Sequence, residues 1–248
     1  MAYLKVCLQN IYRLSIAYNG DIGIQKAIDE IPDLIVSDVM MPGKDGYEVC
    51  QTLKNDERTS HIPIVLLTAK AEQKDKLIGL KHGADAYLSK PFDREELMIR
   101  LENLNEQRKR IQTRYASTLS DWETTMQATP ANADKGNNEE DFTKDDAFIQ
   151  KLKAILADNI EDEFFSLPQL CQKIGMSRSQ LFRKMKALIN QSPSDFIRTY
   201  RLQKAKHLLV TTDLTVSEIA YQVGYKDLAH FSKSFNEEFG TNPSATRK

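Results

Sequence analysis

The chain has little of what marks membrane, secreted or metal-binding proteins. Its 248 residues contain only three cysteines, and Cys7, Cys50 and Cys171 lie too far apart for the spacing of a zinc site or a disulfide framework. The apolar runs are only a few residues long, too short to cross a bilayer, and nothing near the N-terminus resembles a signal sequence. We therefore expect a chain of a reducing compartment, the cytoplasm, without membrane contact by this segment.

The chain as a whole also lacks a strong charge of either sign, since its formal net charge is -1. Residues 164–248, however, hold 13 basic and 6 acidic side chains, a charge of +7, which leaves -8 for residues 1–163. A basic half favours binding to a polyanion, and an acidic half makes that role unfavourable. The length and the 41% hydrophobic content suit one or two globular domains.

The first half alternates short apolar segments with helical patterns. We predict strands at 12–17, 33–37, 64–67 and 86–89, helices at 20–30, 45–55 and 71–82, and a longer amphipathic helix over about 93–117 with an apolar stripe of Leu97, Ile99, Leu101 and Leu104. The run Leu34 to Val36 is apolar throughout, which predicts a strand buried on both faces. This βα repeat predicts an α/β unit with a parallel sheet.

Three polar side chains follow the ends of these predicted strands. Asp38, Thr68 and Lys90 would meet at one edge of a parallel sheet, where open α/β folds place reactive groups. Taken singly, Asp38 could be a turn residue, Thr68 a strand-end residue and Lys90 a solvated surface lysine. Together, a carboxylate with a hydroxyl and a fixed cation beside it can form and hold an acyl phosphate.

These residues lie in motifs that resemble a response-regulator receiver domain: D-V-M-M-P-G-K-D-G from Asp38, T-A at Thr68 and G-A-D-A-Y-L-S-K-P-F from Gly83. The resemblance implies that Asp38 is the phosphoacceptor and that Thr68 and Lys90 sense the phosphate. It also implies that Tyr87 is the switch aromatic, that the peptide bond before Pro91 is cis, and that a histidine kinase is the phosphodonor.

The resemblance begins late in the family pattern. Residues 3–10 resemble the end of the first helix and 12–17 the second strand, so the first strand and its acidic pair are missing. The family uses Mg²⁺, and of its ligands only Asp38 and the Met40 carbonyl remain. We therefore expect a sheet without its first strand, doubtful Mg²⁺ binding and impaired phosphorylation of Asp38, as in a fragment or a truncated gene product.

The second half contains an internal repeat with an offset of 49 residues. Residues 170–177 are echoed by 219–226, and in each copy a small residue precedes a glycine by four positions. The small residue lets a second helix pack closely, and the glycine permits a tight turn. Helix starts are predicted at Ser166, Ser177 and the box from Thr215 to Glu218. Each copy is therefore predicted to be a helix-turn-helix.

Such motifs place the start of their second helix in the DNA major groove. With Leu181, Met185, Phe231 and Phe235 facing inward, the remaining side chains become candidates for DNA contact. In the first copy these are Arg178, Ser179, Gln180, Arg183 and Lys184, and in the second Lys226, Leu228, Ala229, His230 and Lys233. For any one of them a solvated helix face is the alternative explanation. A connecting helix over about 194–209 would space the two copies by about one DNA turn.

This half is similar to the AraC-type DNA-binding domain, through R-L-x-x-A-x-x-L-L from Arg201, I-A-x-x-V-G-Y, F-S-K-S-F and F-G-T-N-P-S. We expect a receiver domain over 1–118, a linker over 119–145 whose flexible part is 128–142, and an all-α DNA-binding domain over 146–248. The order resembles the C-terminal end of hybrid two-component regulators, in which the kinase module belongs to the same longer chain.

The predicted function is phosphorelay-controlled, sequence-specific regulation of transcription, with double-stranded DNA as the partner and no enzymatic activity. A homodimer is left open. A phosphatase of the haloacid-dehalogenase type is disfavoured because Met40 stands where a second acid is needed. The remaining alternative is a receiver that acts as a phosphate sink or protein-interaction module, which the double helix-turn-helix opposes.

Overall fold

The computed structural model describes residues 2–69, 83–120 and 139–247. The chain divides into two compact units, Met1–Arg110 and Ile111–Lys248, called unit 1 and unit 2. Within the described ranges no helix is both long and apolar enough to span a membrane. The predicted helix at 71–82 lies outside these ranges, as does most of the predicted linker.

Unit 1 is built on three parallel strands in the order β1-β2-β3. The strands are β1 Ile35–Asp38, β2 Ile64–Thr68 and β3 Ala86–Ser89, and the helices that begin in this unit are α1 Ala2–Leu8, α2 Gly20–Glu30, α3 Gly46–Asn55 and α4 Arg94–Ser120. The predicted parallel α/β architecture is confirmed, with three strands in the sheet among the described residues.

The burial of each strand's side chains depends on whether the strand pairs with neighbours on one side or on both. The central strand β2 is buried at all five positions, because it pairs with strands on both sides. Strand β1 pairs with β2 alone among the described residues, and Ile35 and Val36 are only half-buried, so the prediction of burial on both faces was wrong. The predicted strand at 12–17 was also wrong, since that segment forms no ladder with any described strand.

Helix α4 packs one stripe against the sheet. Leu97, Leu101 and Leu104 are each at most 4% exposed, because positions i, i+4 and i+7 share one helix face. Ile99 stands two positions from Leu97 and therefore points away from that stripe, with 50% of its surface exposed. Its predicted place in the apolar stripe was wrong.

Unit 2 is helical. Besides the end of α4 it contains α5 Glu139–Asp158, α6 Leu167–Ile174, α7 Arg178–Ile189, α8 Pro193–Thr211, α9 Val216–Gln222, α10 Leu228–Phe239 and α11 Pro243–Thr246. Residues 139–142, predicted as the last part of the tether, belong to α5. The helix starts after Ser166, Ser177 and Thr215 are confirmed, each with a capping box.

Two hydrophobic cores share the connecting helix α8. Phe196, Ile197 and Tyr200 belong to a core with α5, α6 and α7, while Leu202 and Ala205 belong to a core with α9 and α10. One continuous helix therefore joins both helix-turn-helix motifs, and its 19 residues fix their spacing within unit 2.

Candidate functional site

The carboxyl edge of the unit 1 sheet carries the three residues predicted to hold a phosphate. Asp38 and Thr68 close β1 and β2, and the Lys90 amide donates to the Thr68 carbonyl at 2.7 Å. The Lys90 ammonium forms an ion pair with the Asp38 carboxylate. The peptide bond between Lys90 and Pro91 is cis, as the resemblance implies.

The loop after β1 fixes the direction of the Asp38 carboxylate. Its Oδ1 accepts a hydrogen bond from the Met40 amide at 3.1 Å, and its side chain is 35% exposed. Gly46 passes so close that an added Cβ would lie 2.4 Å from the Asp38 carbonyl oxygen, so only glycine fits there. Asp38 is thus an oriented, solvent-accessible carboxylate beside a fixed cation.

Tyr87, the predicted switch aromatic, is half-buried on β3 and packs against the core formed by α2, α3 and the sheet. Its hydroxyl oxygen is buried and has no hydrogen-bond partner among the described residues. Burial raises the pKa of this phenol, because the charged form loses its hydration. The ring is therefore a neutral side chain on the strand that leads to Lys90.

The side chains at this edge do not fit Mg²⁺, the ion that the receiver resemblance implies. Mg²⁺ requires near-octahedral oxygen ligands, whereas Asp38 supplies one carboxylate that already pairs with Lys90. The described parts of the chain contain no group of three or more histidine, cysteine, aspartate or glutamate side chains able to hold a metal. The Met40 carbonyl, predicted as the second ligand, adds only one oxygen.

In the first helix-turn-helix, residues Gly175 to Ser177 turn the chain from α6 into α7. Gly175 adopts φ +76°, a left-handed conformation that glycine tolerates best. The Ser177 hydroxyl accepts from the Gln180 amide at 3.2 Å, which satisfies a free N–H at the start of α7. Leu181 and Met185 are fully buried, as predicted, so the opposite face of α7 points outward.

The outward face of α7 combines basic, hydroxyl and aromatic side chains. It consists of the exposed residues Arg178, Ser179, Phe182, Arg183 and Lys186, and we call it the α7 face. Sequence reasoning missed Phe182 and Lys186, although both follow from the spacing, since they lie three and seven positions beyond Ser179. Phe182 is 47% exposed, and an aromatic ring there can meet a thymine methyl group.

Lys184 was wrong as a predicted DNA contact, and Gln180 is engaged in the cap of α7. Lys184 has no exposed side-chain surface and pairs with Asp145 at 3.3 Å, with its ammonium 4.5 Å from the centre of the Phe148 ring. The Gln180 side-chain oxygen accepts from the Ser177 amide at 3.0 Å, so this side chain completes the cap of α7. Lys184 therefore supports the helix from within the protein, whereas Gln180 supports it at its partly exposed start.

The second helix-turn-helix presents a less basic surface. Asp227 caps α10 by accepting from the Ala229 and His230 amides, and Phe231 and Phe235 are fully buried. Outward-facing are Leu228, Ala229, His230 and Lys233, which we call the α10 face. Lys233 is the one lysine or arginine of this face, so the α10 face is less basic than the α7 face.

Lys226, predicted to contact DNA, is exposed but engaged within unit 2. Its ammonium lies 3.7 Å from the centre of the Phe164 ring and 3.9 Å from a Glu163 carboxylate oxygen. Both residues belong to the loop between α5 and α6, so this contact joins the second motif to the loop that precedes the first.

Gly224 and Arg201 reinforce the same junction. Gly224 has φ +78°, and an added Cβ would lie 2.5 Å from the Ile160 carbonyl oxygen and 2.8 Å from the Arg201 Nη2. Arg201 donates to the carbonyl oxygens of Asp162 at 2.8 Å and Phe165 at 3.4 Å. The loop over residues 160–165 is therefore clamped between the connecting helix and the turn of the second motif.

Comparison with known families matches both halves of the chain. The family described as "Response regulator receiver domain" matches residues 1–102, and the family described as "Helix-turn-helix domain" matches residues 170–248. The two matched segments contain the sheet edge with Asp38 and the α7 and α10 faces.

Among individual relatives, the chain is 37% identical to histidine kinase P4 of Formosa agariphila over 242 residues, which is 98% of this chain and 17% of that protein. It is 45% identical over 100 residues to the transcriptional regulator RpaA of Synechocystis, covering 40% of this chain and 42% of that one. The chain thus spans less than half the length of either curated relative. A response regulator structure from Chloroflexus aurantiacus is 34% identical with a TM-score of 0.40, over 42% of this chain and 85% of that one.

Proposed function

Because the chain is a response-regulator receiver domain followed by an AraC-type helix-turn-helix domain, we propose that it binds duplex DNA sequence-specifically and regulates transcription in a two-component system. In this proposal the α7 face reads the first half of the DNA site and the α10 face the second. A histidine kinase, as a separate protein or as a module of the same longer chain, supplies the phosphoryl group.

The proposal of DNA binding rests on one observation, the basic side chains exposed on the α7 face. Arg178, Arg183 and Lys186 are exposed along one helix whose capped start follows a tight turn, the arrangement that inserts into a major groove. Arginine pairs with guanine through two parallel hydrogen bonds or grips a phosphate. The charge of +7 over residues 164–248 favours the polyanion as a whole.

We expect Arg183→Ala to weaken specific DNA binding. A duplex is first selected from a random-sequence pool by cycles of binding to the wild-type chain, and affinity is then measured by fluorescence anisotropy. Loss of one base or phosphate contact should cost about 1–3 kcal/mol, or roughly fivefold to 150-fold in Kd. Arg100→Ala serves as the matched control, since Arg100 is an exposed arginine on a helix of unit 1. Equal affinities of the two variants would remove Arg183 from the proposed interface.

For unit 1 we propose that Asp38 accepts the phosphoryl group, with Lys90 neutralising its charge and the Thr68 hydroxyl donating to it. The ion pair between Asp38 and Lys90 supports this assignment. The poor fit of these residues to Mg²⁺ supports the further proposal that transfer to Asp38 is slow in this chain, because one ammonium leaves part of the phosphate charge uncompensated and that charge opposes attack by a carboxylate.

Incubation with acetyl phosphate tests the proposal about Asp38. We expect weak labelling by intact-mass spectrometry, with little response to added Mg²⁺, and none in an Asp38→Asn variant. Rapid labelling that depends on Mg²⁺ would show that the sheet edge is fully competent. Equal labelling of wild-type and Asp38→Asn chains would place the phosphoacceptor elsewhere.

A further inference from the structure

The end of helix α4 packs against the second helix of the first helix-turn-helix. Residues from Ile111 onward belong to unit 2, although neither matched family segment includes residues 103–169. Tyr115 is 4% exposed and lies in the same core as Leu181 and Met185 of α7. The helix that carries the α7 face thus packs against residues that neither family match assigns to a domain.

Gln112 contacts α7 at its C-terminal end. Its side-chain amide donates to the carbonyl oxygens of Lys186 at 3.1 Å and Ala187 at 2.9 Å. Both carbonyls belong to the last turn of α7, where the backbone has no intrahelical donor left. One side chain of α4 therefore satisfies two backbone acceptors at the end of the DNA-reading helix.

Tyr115 holds the adjoining helix α5. Its hydroxyl donates to the Asp146 carboxylate at 2.7 Å, and the neighbouring Asp145 pairs with the buried Lys184 of α7. Burial and the Asp146 carboxylate raise the pKa of Tyr115, which keeps its hydroxyl protonated as a donor. The inward side of α7 is thus fixed by α4 directly and through α5.

We propose that Gln112 and Tyr115 are positioning residues for DNA binding: by holding the C-terminal end and the inward side of α7, they set how the α7 face enters the major groove. This inference rests on the proposed DNA-binding function. Gln112 and Tyr115 both lie in unit 2, so both contacts hold α7 within that unit.

The donor property of Gln112 gives a pair of variants that test the proposal in the full chain. Gln112→Glu keeps the size of the side chain but replaces the donor with a carboxylate facing two carbonyl oxygens, which is unfavourable at a helix C-terminus. Gln112→Arg keeps donors at this position and adds the charge that a helix C-terminus favours. Gln107→Glu is the matched control, since Gln107 is exposed on the same helix and the change in charge is identical.

The probe is the duplex selected by the wild-type chain, together with a version in which the first half-site is scrambled. The first half-site is defined as the base pairs that affect the affinity of the wild-type chain but not that of Arg183→Ala. On the selected duplex we expect Gln112→Glu to bind about fivefold to thirtyfold more weakly than Gln107→Glu, because two hydrogen bonds are lost. Gln112→Arg should stay within about twofold of the wild type. On the scrambled duplex Gln112→Glu and Gln107→Glu should bind alike.

Two results would overturn the positioning role. One is equal binding of Gln112→Glu and Gln107→Glu to the selected duplex. The other is an equal loss on both duplexes, which would indicate a general effect on folding or charge rather than on the α7 face. Failure of the wild-type chain to prefer any duplex would instead count against the proposed function.

Discussion

Gly224→Ala is expected to destabilise unit 2 more than any other single-methyl change in its turns. Gly224 holds φ +78°, which costs a side-chain-bearing residue about 1–2 kcal/mol. The added Cβ would also meet the Ile160 carbonyl oxygen at 2.5 Å, and backbone cannot give way as a flexible side chain can. Overpacking against this oxygen adds about 1–3 kcal/mol. We therefore expect the free energy of unfolding to fall by about 3 kcal/mol in total.

The chain provides a matched control for this prediction. Gly175 occupies the equivalent turn of the first motif with φ +76°, and an added Cβ there meets nothing within 4 Å. Gly175→Ala should therefore cost only the conformational strain, about 1–2 kcal/mol. Urea unfolding followed by circular dichroism measures both variants. Equal losses would show that the loop over residues 160–165 does not clamp the second motif.

The second large effect is expected at the buried ion pair of Asp145 and Lys184. Lys184 has no exposed side-chain surface, and Asp145→Ala removes the carboxylate that lies 3.3 Å from its ammonium in the core. Breaking a buried pair from one side typically costs about 3–5 kcal/mol. Replacing the lysine as well, in Asp145→Ala/Lys184→Met, should recover most of this loss, because an apolar chain of similar length suits the site.

An exposed ion pair of the same length provides the comparison. Lys44 and Asp21 are also 3.3 Å apart, but their side chains are 45% and 64% exposed. Asp21→Ala should cost less than about 1 kcal/mol, because water replaces the lost partner. The midpoint of thermal unfolding ranks the variants. Equal midpoints for Asp145→Ala and Asp21→Ala would show that the pair of Asp145 and Lys184 does not stabilise the first motif.

The amino-acid pattern predicts the local features of both units well, because they depend on neighbouring residues. The capping box at Thr215 follows from Glu218 three positions on, and Gly175 and Gly224 mark their turns by residue type alone. The order of apolar segments likewise predicts the parallel sheet and the edge shared by Asp38 and Lys90.

Contacts between residues far apart in the sequence could not be predicted from the amino-acid pattern. Lys184 lies three positions from Leu181 and so shares its inward face, but its burial is tolerable only because Asp145 comes from a separate helix. From the sequence alone, Gln112 is an ordinary polar residue of an amphipathic helix. Only the structure shows that its side chain donates to a carbonyl oxygen at the end of α7. The segment 12–17 has the composition of a strand, yet strands need a neighbour to pair with.

The DNA-binding affinity of the wild-type chain tests the central claim most directly. The selected duplex and a scrambled duplex of equal length and composition are titrated with the chain at several salt concentrations. The account predicts a clear preference for the selected duplex, with log affinity falling linearly in log salt at a slope of about -0.9 for each phosphate neutralised. Equal, weak and salt-insensitive binding to both duplexes would contradict the assignment of α7 and α10 as DNA-reading helices.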